Sequence, residues 1–133
     1  MDKGRFRSLL IAALCALVWP TAVLAQAGLR VLVQHAPLAG FQFHAAGRLW
    51  PQLRVGDSLE LRRESENKHD ARAIAVFWRG EMIGYLPRAE NDAVAQAMDR
   101  GIHTEARIAE LLETADPWRR MQIDVFLLFP KNR

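Results

Sequence analysis

Hydrophobic and polar residues alternate over most of the chain beyond residue 28, which is the pattern of strands that bury one face. The alternation is clearest between residues 58 and 63, where Leu59 and Leu61 face one side and Glu60 and Arg62 face the other. Comparable alternation predicts further strands at residues 28–34, 103–112 and 121–129.

A further extended segment is predicted at residues 41–44, entered through Gly40. This pattern places Phe41 and Phe43 on one face and Gln42 and His44 on the other. We expect only one aromatic face to be buried, and a shift of one residue in register would exchange the buried and exposed rings.

Two short β-prone runs, 73–78 and 81–86, are separated only by Arg79 and Gly80, which predicts a tight hairpin with the glycine in a left-handed conformation. The preceding run, 64–72, has no apolar residue except Ala71 and therefore predicts an exposed loop.

Helical spacing of apolar residues occurs between residues 89 and 100, at Ala93, Val94, Ala97 and Met98. Asn91 supplies a start signal, and a glycine follows the last predicted residue. One or two helices with about six short strands predict a mainly β (α+β) fold, a small antiparallel six-stranded β-barrel, because closure removes exposed sheet edges.

The N-terminus has the pattern of a secretory signal peptide: basic residues, an apolar run over residues 9–19, and small residues around Ala25. We therefore expect a leader at 1–25 and a domain at 26–133, secreted or periplasmic. The apolar run is well short of the roughly 20 residues of a membrane-spanning helix, and Pro20 follows it. Retention of this segment as an uncleaved anchor is therefore the weaker interpretation, and it is the only membrane contact that we expect.

Removal of the leader changes the charge and the cysteine content. The whole chain has 18 basic and 15 acidic residues, and residues 1–25 contain three of the former and one of the latter, which leaves a net charge of +1. The single cysteine, Cys15, also lies in the leader, so no disulfide is expected in the domain.

No motif for catalysis or metal binding stands out. The histidines His35, His44, His69 and His103 lack ligand spacing, and there is no phosphate-cradling glycine loop, nucleophile elbow or paired-acid signature. We expect no cofactor, no bound metal and no enzymatic activity, and a small metal-dependent hydrolase built around His69 is the least favoured function.

One ordered run between residues 63 and 88 forms a distinctive motif. The run comprises Arg63, Glu64, Asn67, His69, Asp70, Ala73, Ile74, Val76, Ile83, Gly84, Tyr85, Leu86, Pro87 and Arg88. It resembles the HIRAN domain, an accessory module of DNA-repair helicases. The resemblance implies an OB-like barrel that holds single-stranded DNA, in the best understood case by its 3′ end. Hydrolase activity of the larger relatives belongs to their other domains, which we do not expect here.

The resemblance also implies a site. Phe43 matches the first of two rings that clamp the terminal base, His69 matches the second ring, and Asp70 matches the acceptor of the 3′-hydroxyl. Asn67 matches a polar residue near the terminal sugar, and Arg88 a basic residue after the hairpin. Gln42, which stands where the family often has a basic residue, and Tyr85 complete the candidate nucleic-acid-binding set.

Each candidate also has a structural interpretation. Asn67 and Asp70 are residues that commonly shape loops through side-chain to backbone bonds. Phe43 could belong to the core, and arginines such as Arg62 and Arg88 are commonly ordinary surface charges. The expected partner is the end of a single-stranded DNA or RNA, and the near-neutral charge leaves an envelope protein, peptide or glycan as the alternative.

Overall fold

The protein is described by a computed structural model of residues 28–131. Six strands form one antiparallel sheet, and two short α-helices and three 3₁₀ turns connect them. The strands are β1 (Leu29–Pro37), β2 (Ser58–Arg63), β3 (Ile74–Trp78), β4 (Glu81–Tyr85), β5 (His103–Leu111) and β6 (Met121–Phe129). The helices are α1 (Ala46–Leu49) and α2 (Asp92–Asp99), and the 3₁₀ turns are Phe41–Phe43, Trp50–Gln52 and Pro117–Arg119.

The strand order is β1-β6-β5-β2-β3-β4, so the sheet is open between β1 and β4. One isolated antiparallel bridge, Ala39 to Tyr85, links the chain after β1 to the far edge strand. Its two backbone bonds, each 2.9 Å long, bring the two sheet edges together at one point. The mainly β, six-stranded antiparallel fold is confirmed and is compatible with an OB-like barrel, but the ladder itself does not close.

The prediction of an extended segment at 41–44 was wrong. Residues 41–43 form a 3₁₀ turn that follows Gly40 in a left-handed conformation, with φ of 74°. Phe41 is buried and packs edge-on against Trp50, with ring centroids 5.7 Å apart, whereas Phe43 is exposed. The two rings therefore do not share a face, and Phe43 is the exposed one.

The other elements follow the predicted pattern closely. The hairpin turn has Arg79 at φ 45° and Gly80 at φ 80°, and positive φ at both central positions is the pattern of the type I′ turn, whose twist matches that of the flanking strands. Strand β1 continues to Pro37, three residues beyond the predicted end, and a bulge lies between Leu32 and Gln34.

The core fills the inside of the curved sheet. Buried side chains from β3, β4, β5 and β6 meet those of α1 and α2 there. Four apolar residues of the HIRAN-like run, Ile74, Val76, Ile83 and Leu86, are all at most 2% exposed. Trp78 is also buried, and its indole N–H donates to Asp57 Oδ2 at 2.9 Å, so it is a packing residue.

Gly84 is placed where a side chain has no room. A Cβ built on it would lie 2.4 Å from the Ala39 carbonyl oxygen and 2.8 Å from Leu38 Cδ1. Glycine at residue 84 therefore allows a close approach of the backbone. This approach allows the bridge between Ala39 and Tyr85 to form.

One buried carboxylate lies on β6, away from that bridge. Asp124 accepts from His35 Nδ1 at 2.7 Å and from Arg107 at 3.0 Å. The bond from His35 contributes most to a lowered pKa of Asp124; burial opposes it, and the bonds and charge of Arg107 reinforce it.

No helix between residues 28 and 131 has the length and apolar character needed to cross a bilayer. The predicted leader, residues 1–25, lies outside the described residues.

Candidate nucleic-acid interface

A pocket of about 270 Å³ lies between the 64–73 loop and the bridge that joins the sheet edges. It is lined by Ala39, Asn67, His69, Asp70, Ala73, Tyr85, Leu86 and Arg88. Five of the seven candidate residues therefore meet in one place, although they come from the loop, from β4 and from the segment after β4. Grooves of about 550 and 590 Å³ on other faces contain none of the seven.

Asn67 shapes the loop from within. Its Oδ1 accepts from the backbone N–H groups of His69, at 2.9 Å, and Asp70, at 3.2 Å. Its Nδ2 donates to Glu64 Oε1 at 3.0 Å. The loop-shaping interpretation of Asn67 is thus confirmed, and the same residue still lines the pocket.

Asp70 is fixed by one hydrogen bond to each carboxylate oxygen. Oδ1 accepts from the backbone N–H of Arg72 at 2.9 Å, and Oδ2 accepts from the Asn91 amide at 2.7 Å. A carboxylate has about four acceptor positions, so capacity for a further donor remains at this half-buried group.

The surroundings of Asp70 favour its charged form. Burial by itself acts to raise the pKa of this carboxyl. The bonds from Arg72 N–H and Asn91, with the positive charges of Arg88 and Arg72, outweigh burial and lower the pKa. Asp70 is therefore an anionic acceptor at neutral pH.

Tyr85 is held by its hydroxyl. The hydroxyl donates to Glu64 Oε1 at 2.9 Å, the same oxygen that accepts from Asn67. The His44 ring meets the Tyr85 ring edge-on, with centroids 5.6 Å apart. These contacts tie the segment after β1, strand β4 and the loop into one rigid wall of the pocket.

The arginines near this face differ in how far they are neutralised. Arg72 pairs with Asp92 at 2.9 Å. Arg62 pairs with Glu60 at 2.8 Å and stacks over Phe77. Arg88 lines the pocket and has no carboxylate within 4.0 Å among residues 28–131, so it is the cation there that is most available to an anionic ligand.

The two remaining candidates do not line this pocket. Phe43 is 77% exposed, and it precedes His44, whose ring contacts that of Tyr85. Gln42 lines a second, adjoining pocket of about 370 Å³ with Ala39, Gly40, Asp116, Pro117 and Trp118.

Trp118 and Asn91 were missed as possible site residues. Trp118 is not among the seven candidates, but it is 52% exposed and lines the second pocket. Its position after Pro117 in a polar turn was the only available signal. Asn91 was predicted to cap α2, but its side chain makes no capping bond and donates to Asp70 instead.

No group of three or more His, Cys, Asp or Glu residues able to hold a metal ion occurs within the described part of the chain. The pocket has one carboxylate and one neighbouring imidazole, and the Asn67 amide and the Tyr85 hydroxyl at its wall both donate to Glu64 Oε1. What this arrangement offers chemically is a hydroxyl acceptor, a cation and aromatic faces.

Comparison with known proteins identifies the fold and the family. Residues 31–129 match the model of the HIRAN domain. The structure resembles that of a protein from Lactobacillus plantarum, with 25% identity over 75% of this chain and 96% of that one, and a TM-score of 0.65. It also resembles the HIRAN domain of human HLTF, with 19% identity over 80% and 84% of the two chains and a TM-score of 0.59. No curated protein matches the sequence. Because the HIRAN model covers well over half of the 133 residues, the chain belongs to the HIRAN domain family.

Proposed function

We propose that this domain is a non-enzymatic module that binds the free 3′-OH end of a single-stranded nucleic acid. HIRAN domains are DNA-binding modules, so nucleic-acid binding follows from the family, and the choice of the 3′ end is our proposal. The observation that carries it is the meeting of Asn67, His69, Asp70, Tyr85 and Arg88 in one pocket.

The ionised Asp70 supplies the end selectivity. A carboxylate accepts a hydrogen bond from a hydroxyl but repels a phosphate, so a strand that ends in 3′-OH is favoured over the same strand with a 3′-phosphate. Arg88, on the same pocket, then pairs with the phosphate that links the terminal nucleotide to the next one.

Aromatic faces supply affinity without reading sequence. Stacking of a base on an aromatic side chain contributes about 1–3 kcal/mol and tolerates every base. His69 lines the pocket, and Phe43 offers an exposed ring directly before His44, whose ring contacts Tyr85 of the pocket wall. We assign the terminal base to the space between His69 and Phe43.

The adjoining pocket extends the path of the strand. It shares Ala39 with the first pocket and contains the exposed Trp118 ring and the Gln42 amide. We assign the terminal nucleotide to the first pocket and the nucleotide before it to Trp118.

The experiment is fluorescence anisotropy of the domain from Gln26 with short labelled oligonucleotides that end in 3′-OH or 3′-phosphate, at low and moderate salt. Asp70→Asn is expected to lose the preference for 3′-OH by about tenfold or more, since it removes a charged acceptor. Glu66→Gln removes the same charge from an exposed residue of the same loop that does not line the pocket, and should leave the preference unchanged.

Tighter binding to 3′-OH ends that Asp70→Asn abolishes and Glu66→Gln retains supports the proposal. Equal binding to both ends refutes the end selectivity. Absence of binding at low salt refutes the nucleic-acid ligand itself and directs attention to an envelope protein, peptide or glycan.

We also propose that the domain is exported, on the basis of the leader pattern at 1–25. Fractionation of cells expressing the full chain with a C-terminal tag, followed by N-terminal sequencing, tests this. A soluble exported product that begins near Gln26 supports it, and full-length soluble protein in the cytoplasm contradicts it.

A further inference from the structure

We propose that Asn91 is a positioning residue for Asp70 and so determines how strongly the domain prefers a 3′-hydroxyl end to a 3′-phosphate end. The inference rests on the proposed function.

Asn91 directly precedes α2, and its side chain does not do what this position favours. An asparagine at a helix N-terminus normally accepts a hydrogen bond from a backbone N–H of the first turn. Asn91 makes no such bond, although it is only 1% exposed. A buried polar side chain that makes no capping bond is expected to hydrogen-bond to another group, because an unpaired buried polar group lowers stability.

That partner is Asp70. The Asn91 Nδ2 atom donates to Asp70 Oδ2 at 2.7 Å, across 21 residues of sequence. The other carboxylate oxygen is bonded within the loop, by the Arg72 N–H at 2.9 Å. The loop alone therefore fixes one oxygen of Asp70, and the start of α2 fixes the other.

Two bonds of this kind define the plane of the carboxylate. With one oxygen held from the loop and one from the helix, Asp70 cannot rotate about its last torsion without losing a bond, so its free acceptor positions keep a constant direction at the pocket wall. The Asn91 amide also carries no titratable proton, so it favours the ionised carboxylate over the whole range in which Asp70 titrates.

Removal of the Asn91 donor should change selectivity more than affinity. The stacking rings and Arg88 are untouched by a substitution at Asn91, so a strand still binds. The carboxylate then becomes mobile and easier to protonate, and its discrimination between a hydroxyl and a phosphate weakens.

Three variants test this. Asn91→Leu keeps nearly the same volume without the donor. Asn91→Asp places a second carboxylate against Asp70, and such a pair retains one shared proton to higher pH. Gln96→Leu is the matched control, because Gln96 is an exposed amide on the same helix that bonds to Asp92.

Two quantities are measured for each folded variant. The first is the ratio of dissociation constants for 3′-phosphate and 3′-OH oligonucleotides from pH 4 to pH 8. The second is the pKa of the Asp70 carboxyl, followed by NMR titration without DNA. A double substitution, Asp70→Asn together with Asn91→Asp, is added to these three variants, because it keeps a hydrogen bond between the two positions but moves the charge from one to the other.

We expect Asn91→Leu to reduce the ratio by about tenfold and to raise the pKa of Asp70. When the pH is lowered, the ratio for the Asn91→Asp variant should begin to fall at a higher pH than the ratio for the unsubstituted domain does. The exchanged pair should fold but show no preference for 3′-OH. Gln96→Leu should change neither quantity.

The outcomes separate the two proposals. If the unsubstituted domain prefers 3′-OH and Asp70→Asn abolishes the preference, but Asn91→Leu and Asn91→Asp leave the ratio and its pH profile unchanged, the inference is overturned and the proposed function stands. If the unsubstituted domain shows no preference, the proposed function fails and the inference fails with it. If Asn91→Leu does not fold, the pH profile of Asn91→Asp decides.

Discussion

The substitution Gly84→Ala tests the point at which the two edges of the sheet meet. A Cβ at residue 84 would lie 2.4 Å from the Ala39 carbonyl oxygen and 2.8 Å from Leu38 Cδ1. Ordinary carbon contacts are about 3.5–4.0 Å, so the Ala39 backbone must retreat by roughly 1 Å. The Leu38 side chain cannot absorb the clash by itself, because the nearest atom belongs to the backbone.

The cost can be estimated from two contributions. Insertion of one carbon into a packed site costs about 1–3 kcal/mol. Displacement of Ala39 also weakens the two 2.9 Å hydrogen bonds that it shares with Tyr85, each with a net contribution of about 1 kcal/mol. The free energy of unfolding should therefore fall by about 2–5 kcal/mol, a large share of the 5–15 kcal/mol typical of a domain.

Urea denaturation followed by tryptophan fluorescence measures this change. The midpoint should fall with the slope m unchanged, and the thermal midpoint should fall by about 4–8 °C for each kcal/mol. Because Ala39 and Tyr85 also line the pocket, affinity for a 3′-OH oligonucleotide should fall under conditions where the variant remains folded.

Gly47→Ala is the matched control. Gly47 lies in α1, and a Cβ there would meet only Phe41 Cε1 at 3.9 Å, an ordinary contact. Alanine in a helix is neutral to slightly stabilising relative to glycine. An unchanged urea midpoint for Gly84→Ala, or an equal loss in Gly47→Ala, would refute the argument that close approach of the backbone holds the sheet edges together.

Three further predictions concern charge and stacking. Asp124→Asn should lower the free energy of unfolding by about 1–3 kcal/mol at pH 7 and flatten the pH dependence of the urea midpoint. The pKa of Asp124 is lowered in the folded state. Its contribution to stability is therefore present above the unfolded pKa near 3.9 and is lost as the pH falls through the folded pKa. An undiminished acid dependence in this variant would contradict the prediction. Phe43→Ala should reduce the affinity for single strands, measured by anisotropy, by about 5- to 150-fold. It should change the free energy of unfolding by no more than about 0.5 kcal/mol, because the ring is exposed. A loss of stability without a loss of affinity would show that the ring is structural. Arg88→Gln should reduce the slope of log affinity against log salt concentration by about 0.7. Arg72→Gln should reduce it by less, because Arg72 already pairs with Asp92. Equal slopes for both variants would mean that ion pairing does not decide which arginine contacts phosphate.

Local signals in the sequence were sufficient for most of the sheet. The hairpin of β3 and β4 was predicted because Arg79 and Gly80 between two apolar runs leave only a two-residue turn. The loop at 64–72 was predicted because it contains almost nothing that could be buried. Neither feature needs information from the rest of the chain.

The error at 41–44 has a tertiary cause. Alternating aromatic residues after a glycine are typical of a strand, but no neighbouring strand is available to pair with this segment. The chain instead forms a 3₁₀ turn that buries Phe41 against Trp50, and the next turn is held by a bond from Ala45 N–H to the Met82 carbonyl. These partners are distant in sequence, so local alternation could not reveal them.

The candidate site shows the same division. The motif around Asn67 and Asp70 indicated which residues to examine, and the turn-forming chemistry of these residues explains the shape of the loop. Sequence spacing could not show that Tyr85 and Arg88 line the same pocket, nor that Phe43 and Gln42 lie outside it, since that depends on how the edges of the sheet approach each other.

The sequence alone thus determined the approximate bounds of the six observed strands, the mainly β class, the family and most of the residues of the candidate site, because alternation, turn chemistry and a distinctive motif are local properties. Only the tertiary structure decided that the ladder stays open with a bridge at Ala39 and Tyr85, that Trp118 is exposed beside the site, and that Asn91 bonds to Asp70 instead of capping its helix. Each of these depends on which distant groups come within hydrogen-bonding or packing distance, and that is fixed only when the whole chain has folded.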